Sequence, residues 1–233
     1  MQCTAITGNG RSQIDADVAI EKSFDLIVNR AHIATFLASP QELDALATGF
    51  LLCEGLARSA DEIASIDVRD GTIVCKLNLQ SYGRTGEIHP ISSTVCFEQK
   101  IIFDAIDEFK KRGQLWRRTG GTHSSIISSP AGDVLAFSED VSRACSVDKV
   151  VGKAVLSGID PADCMLATTG RLSVTMVAKA ARAGFPLIAS KAAPMSEGVR
   201  LAERSGITLV AFARRPNLYV YTGEQRVVLS LSG

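Results

Sequence analysis

Cations recur where strands should end in the second half of the chain. Thr169-Gly170-Arg171 follows one apolar run, Lys191 a second, and Arg214-Arg215 a third. In an open parallel sheet, ligands bind outside the carboxyl ends of the strands. Helices expected to begin near Leu172 and Ser196 would turn their unpaired N–H groups to that same edge. An anion, with phosphate the leading candidate, is the economical ligand; solvated surface charge is the alternative for any one of these residues. A second concentration is Arg117-Arg118-Thr119-Gly120-Gly121-Thr122-His123. Paired glycines let a backbone approach a ligand, and consecutive N–H groups can form an anion nest. A tight turn into a strand explains them equally well. His123 could serve as a base, as a phosphate donor or as a core-edge histidine. A third is Glu139-Asp140-Val141-Ser142-Arg143, followed by Asp148-Lys149, where paired carboxylates suit ribose hydroxyls, a metal or a helix cap. Gly8-Asn9-Gly10 is not a dinucleotide fingerprint, and no Walker lysine, G-x-S-x-G or H-E-x-x-H is present.

Six cysteines are spread singly, with no C-x-x-C pair, so neither a zinc knuckle nor a redox dithiol is written here. Cys96 differs from the rest. It follows His89-Pro90 and Ser92-Ser93-Thr94 in a polar segment just before a helix expected from about Phe97, where backbone dipoles would stabilise a thiolate. Cys53, Cys75 and Cys164 fall in expected core elements, and Cys145 in a loop near Arg143.

The elements that must position these groups read as follows. Glu21 to Asn29 alternates as a strand. Ser39, Pro40 and Glu42 write an N-cap, a first-turn proline and a capping box for a helix carrying Leu43, Leu46, Ala47, Phe50 and Leu51. Asp70-Gly71 marks a hairpin turn. A helix to Arg112 presents Ile102, Ala105, Ile106 and Phe109 and stops at Gly113. Ser124 to Glu139 reads as two strands. Helix and strand then alternate: helix 147–157, strand 164–168, helix 172–182, strand 186–190, helix 196–204, strand 207–212. Such alternation implies parallel strands with right-handed crossovers. The expected fold is a three-layer α/β sandwich over 114–233, preceded by a smaller α+β section over 1–113 whose first dozen residues are frayed.

Lys and Arg together number 25, Asp and Glu 25, so the formal net charge is zero. That excludes a broadly basic nucleic-acid surface. No apolar run reaches membrane-spanning length and no secretory leader opens the sequence, so a cytoplasmic address is expected.

The run from TGGTHSSI through EDVSRACSVDKVVGKAV and TTGRLSVTM to FARRPNLYVYT strongly resembles the formate dehydrogenase accessory proteins, the FdhD/NarQ family. The segment ASPQELDALATGFLLCEGL matches that family's N-terminal part, and the likeness spans roughly 20–230. It implies a fold similar to the cytidine deaminases, although the deaminase zinc signature is absent, so no zinc is implied. It implies a sulfurtransferase that takes sulfur from a cysteine desulfurase as a cysteine persulfide. The sulfur would pass to the molybdenum or tungsten bis(guanine dinucleotide) cofactor of formate dehydrogenase. A homodimer is implied, and a guanine nucleotide would mimic the cofactor. The implied cofactor residues are Thr119, Gly120, Gly121, His123, Arg143, Arg171, Lys191 and the run Phe212, Ala213, Arg214, Arg215, Pro216 and Asn217.

The family's S-C-G-x-C-G appears as Ser92-Ser93-Thr94-Val95-Cys96-Phe97, so Cys96 is the expected sulfur carrier and its companion thiol is Ser93. The histidine and asparagine of E-D-V-G-R-H-N-A are Ala144 and Cys145, and the glutamate of S-G-R-x-S-x-E is Thr175. These departures leave two other expectations in play. One is a cofactor-binding chaperone without sulfur chemistry; the other is a nucleotide-acting hydrolase, which lacks its metal ligands.

Overall fold

The computed structural model describes residues 1–78 and 87–229. Strands β1 (Gln2–Thr7) and β2 (Gly10–Asp15) pair as an antiparallel hairpin, exposed along nearly its whole length. The opening residues, expected to be frayed, are therefore an ordered ribbon: their alternating Thr, Ile and Gln suit a strand without any core to bury. Strands β3 (Lys22–Val28) and β4 (Ala31–Ala38) form a second hairpin. Its two turn residues, Asn29 and Arg30, both take positive φ, as a primed two-residue turn requires.

Helix α1 (Leu43–Cys53) starts later than its capping box suggests. Glu42 occupies the N-cap in a left-handed conformation and makes no side-chain cap. Partners distant in sequence outcompete the local ones. The Ser39 hydroxyl accepts from the Val141 amide, and Glu42 pairs with Lys153 at 2.7 Å. Strands β5 (Ile63–Arg69) and β6 (Thr72–Leu77), joined at Asp70-Gly71, complete a four-stranded sheet of order β4-β3-β6-β5.

The remaining elements build the sandwich. They are β7 (Phe97–Glu98), α2 (Gln99–Arg112), α3 (Gln114–Thr119), β8 (His123–Ser128), β9 (Val134–Asp140) and α4 (Arg143–Leu156). There follow β10 (Met165–Thr168), α5 (Val174–Arg182), β11 (Leu187–Ser190), α6 (Ser196–Ser205), β12 (Thr208–Arg214), β13 (Asn217–Thr222) and β14 (Val227–Val228). The central sheet runs β13-β12-β11-β10-β8-β9. Its β10, β11 and β12 are parallel, as the alternation predicts, while β8, adjoining β10, and β13, adjoining β12, run antiparallel to their neighbours. β13 goes unread in the sequence because Asn217 to Thr222 alternates exposed and half-buried residues rather than forming an apolar run.

Side chains alternate across this sheet. Ile127, Leu166, Ile188, Leu209 and Ala211 face the helical layer of α4, α5 and α6. Ile126, Met165, Ala167, Leu187, Ala189 and Val210 face α2, whose Ile102, Ala105, Ile106 and Phe109 are buried as predicted. Residues 97–112, on the N-terminal side of position 113, thus supply one layer of the sandwich. α1 lies across α4 at a close crossing. A Cβ at Gly49 would stand 1.7 Å from the Asp148 carbonyl oxygen, and one at Gly152 2.0 Å from that of Ala45. Only glycine fits at either position.

Candidate functional site

The carboxyl ends of β10, β11 and β12 meet the start of β8 and the end of β9 along one edge of the sheet. A cavity of about 420 Å³ opens there, lined by Phe109, Lys110, Trp116, Gly120, Gly121, Thr122, His123, Ser124, Val141, Thr169 and Lys191. Buried hydroxyls brace the strand ends beside it. Ser190 Oγ donates to the Gly170 carbonyl at 2.7 Å, and the Gly170 amide donates to Thr168 Oγ1. Thr169 Oγ1 accepts from the Ser124 amide and lies 3.1 Å from His123 Nδ1. Gly170 also makes room for Arg143, whose Cβ would lie 3.0 Å from any Cβ added there.

The cavity is electropositive. Burial first, then the positive charges of Arg214 and Lys110, lower the Lys191 amine from its ordinary value. Burial, then Arg143 and Lys191, push His123 below its ordinary value, which keeps the imidazole neutral at pH 7. Lys191 Nζ stands 5.8 Å from the centre of the Trp116 ring. Asp140 pulls His123 the other way, and the cations at Lys110, Lys191 and Arg214 would be relieved by an anion.

The sequence-predicted residues divide around this cavity. Gly120, Gly121, His123 and Lys191 line it, Arg143 backs His123, and Arg214 lies against Lys191, its Nε donating to the Lys191 carbonyl at 3.1 Å. Arg171 and Asn217 are exposed near the rim-forming strand ends, and Pro216 follows a cis bond from Arg215. Arg215 turns away: it pairs with Asp104 and Asp107 of α2 and lies 5.0 Å from the Phe103 ring centre. Ala213 is buried, and Phe212, at positive φ, packs on Tyr219. Thr119 belongs to a smaller neighbouring cavity beside Val18, Ile20 and Leu115.

The expected glycine nest is closed. The Gly120 amide donates to Trp116 and the Gly121 amide to Thr119 Oγ1, because both finish the C-terminus of α3. Lys110 and Trp116 are lining residues that the sequence does not single out, and Phe109 is read there only as a core residue. They come from α2 and α3; the single tryptophan was the one signal available.

Two buried ion networks hold the edge in place. Asp140, ending β9, accepts from the Ser39 and Ser142 amides and pairs with Lys149 at 2.6 Å, both side chains fully buried. Glu139 accepts from the Leu115 and Trp116 amides and from Thr122, so it caps α3. In α4, burial pushes Asp148 up to about 6 against the pull of Lys179, which binds it at 2.9 Å and also binds Glu54, the residue capping the end of α1, at 2.7 Å. The acidic residues of the third concentration are thus structural. Among the described residues no group of three or more His, Cys, Asp or Glu side chains could hold a metal ion.

Cys96 lies elsewhere. It is exposed, and its thiol donates to the Thr94 and Gln225 carbonyls, each at 3.5 Å. β7 intervenes between it and α2, so it does not occupy a helix N-terminus. Its loop is fastened at the amino edge of the sheet. The Ile91 amide donates to the Ser205 carbonyl before β12, and Ser93 Oγ to the Ala162 carbonyl before β10. Burial pushes the thiols of Cys75, Cys145 and Cys164 up to about 11, and raises that of Cys53 well above its ordinary value. Cys3, on the β1 hairpin, is also exposed.

The profile of the FdhD/NarQ family matches residues 19–85 and 69–228. A sulfur carrier protein FdhD of Methanothermobacter thermautotrophicus is 32% identical over 235 residues, covering 94% of each chain. One from Streptomyces avermitilis is 31% identical over 248 residues, covering 90% of this chain and 88% of its own. A crystal structure from Desulfotalea psychrophila, assigned as a formate dehydrogenase accessory protein, superposes with a TM-score of 0.87 at 31% identity over 98% of both chains. Profile, sequence and fold agree along almost the whole length, and the chain belongs to the FdhD/NarQ family.

Proposed function

We propose that the chain is a sulfur carrier serving formate dehydrogenase, with Cys96 as the thiol that bears the sulfur. The observation that carries this reading is the exposure of Cys96 at the family-motif position, in a loop fastened to the sheet, while Cys53, Cys75, Cys145 and Cys164 are buried. Relatives alike over nine-tenths of the chain are sulfur carrier proteins. Loading is a thiolate exchange. Cys96 attacks the outer sulfur of a cysteine desulfurase persulfide, a new S–S bond forms on Cys96, and the donor cysteine leaves as thiolate. Releasing that sulfur as sulfide consumes two electrons. A second thiol can supply them by closing a disulfide, and Ser93 means that this thiol comes from outside the motif.

The electropositive cavity is read as the site for the acceptor, the molybdenum or tungsten bis(guanine dinucleotide) cofactor, which is substrate here. A guanine ring stacked on Trp116 would place its phosphates among Lys110, Lys191 and Arg214. The cytidine deaminase-like fold, a cytoplasmic site of action and a homodimer belong to the same reading. In one chain the thiol and the cavity face opposite ways. Transfer within one chain therefore requires the loop to leave Gln225 and Ala162, long contacts, and to release the shorter bond that Arg226 makes to the Ser93 carbonyl. That separation, with Ser93, also favours the second reading, a chaperone that binds the cofactor without sulfur chemistry. Incubation with a cysteine desulfurase and L-cysteine decides between them. Persulfide on wild-type Cys96 and none on Cys96→Ser supports the carrier; GDP binding with no persulfide on wild type supports the chaperone.

A further inference from the structure

Arg226 is buried, yet its guanidinium meets only neutral oxygens. Nε donates to the Ser93 carbonyl at 2.9 Å, Nη1 to the Gly206 carbonyl at 2.9 Å and to Thr208 Oγ1 at 3.2 Å, and Nη2 to the Ile91 carbonyl at 3.4 Å. Among the described residues no carboxylate pairs with it. A buried charge without a counter-ion persists only where its hydrogen bonds are made, so those four oxygens fix its place and it fixes theirs. Two of them lie where α6 enters the central sheet, Gly206 at the helix end and Thr208 at the start of β12. The other two belong to the loop that carries Cys96.

Its sequence neighbours extend the grip. The Gln225 carbonyl accepts from the Cys96 thiol, and Val227 pairs with Phe97 in a parallel bridge of β14 to β7. Three consecutive residues, 225 to 227, thus hold the segment from Ile91 to Phe97. Phe97 is fully buried while Cys96, one residue earlier, is exposed. The planar fork spans carbonyls on two elements at once, which an ammonium on a flexible stem does not reproduce.

We propose that Arg226 is the positioning residue of the sulfur-bearing loop. By tying the Ile91 and Ser93 carbonyls to Gly206 and to Thr208, the first residue of β12, it holds Cys96 at the amino edge with its thiol open to the donor. This inference rests on Cys96 being the carrier.

The test compares full-length wild type, Arg226→Met, Arg226→Lys and Thr208→Val. Each is incubated with a cysteine desulfurase and L-cysteine, and persulfide on the Cys96 peptide is followed by mass spectrometry. GDP affinity at the far edge is measured in parallel. Both Arg226 variants should load at least about tenfold more slowly, since small misplacements of a reacting group cost this much. Their GDP affinity should stay within about twofold of wild type, a split that a general folding defect would not produce. Thr208→Val removes one of the four acceptors and should slow loading about threefold; it decides the matter if the Arg226 variants do not fold. Loading at the wild-type rate in a folded Arg226 variant, or in Thr208→Val where neither folds, overturns the proposal. So does full rescue by lysine, or a loss of loading matched by an equal loss of GDP affinity. Absence of persulfide on wild-type Cys96 overturns the carrier reading and this inference together, whereas equal loading of wild type and Arg226→Met overturns this inference alone.

Discussion

Cys96 and Lys191 stand at opposite edges of the central sheet. Lys191 follows β11 at its carboxyl end, inside the electropositive cavity. Cys96 is tied through Ser93 and Gln225 to the segments that enter β10 and leave β13. If Cys96 takes up sulfur and the cavity binds an anion, the two should be separable by mutation.

Anion binding should depend on Lys191. Removing one charge-assisted contact costs about 1.5–3 kcal/mol, or roughly tenfold or more in affinity. Lys191→Ala should weaken GDP binding by that factor and leave persulfide loading unchanged. Trp116, the one tryptophan in the chain, reports the titration through its own fluorescence. An unchanged emission on GDP addition would remove the nucleotide from this cavity.

His123 should make the same binding pH-dependent. Its folded value lies below 6.5, held there by burial and by Arg143 and Lys191. The folded state thus takes up fewer protons than the unfolded one as pH falls through this range. His123 should accordingly subtract from the stability of the ligand-free protein as pH falls from 6.5 through its folded value. Asp148, raised to about 6, adds to it, so the His123 contribution is read as the difference between wild type and His123→Gln. A bound anion favours the protonated ring, so GDP affinity should rise over that interval. His123→Gln should remove that contribution and flatten the affinity slope, measured by urea titration and by fluorescence.

The crossing of α1 on α4 should tolerate no side chain at Gly49. With backbone oxygen 1.7 Å from the added Cβ, Gly49→Ala must push the helices apart. A loss of roughly 3 kcal/mol or more, at the upper end for overpacking, is expected in urea denaturation.

The Asp140–Lys149 pair should behave as a buried one. Asp140→Ala strands a fully buried ammonium and should cost about 3–5 kcal/mol. Replacing both partners with apolar residues should recover part of that loss, which a double-mutant cycle reads directly.

The sequence shows much of this arrangement, and its silences have physical causes. The core face of α2 and the parallel run β10–β12 are legible because burial on one face imposes a period. Ser39 and Glu42 mislead because a capping pattern is local, while their actual partners, Val141 and Lys153, lie about a hundred residues on. Lys191 is found from strand-end logic, and His123 from the paired glycines before its strand. Lys110 and Trp116 are not, since only tertiary packing brings α2 and α3 to the cavity. Arg215 has the right position and the wrong neighbours, because Asp104 and Asp107 claim it. Arg226, in a short segment after β13, carries no local pattern at all.

Sulfur loading followed by mass mapping of all six cysteines tests the central claim most directly. After treatment with a cysteine desulfurase and L-cysteine, the account predicts a gain of about 32 Da, one sulfur as persulfide, on the peptide containing Cys96. The peptides of Cys53, Cys75, Cys145 and Cys164 should be unmodified, and Cys3→Ser should load as wild type does. Persulfide on Cys3 or on a buried thiol, with Cys96 unmodified, would contradict it.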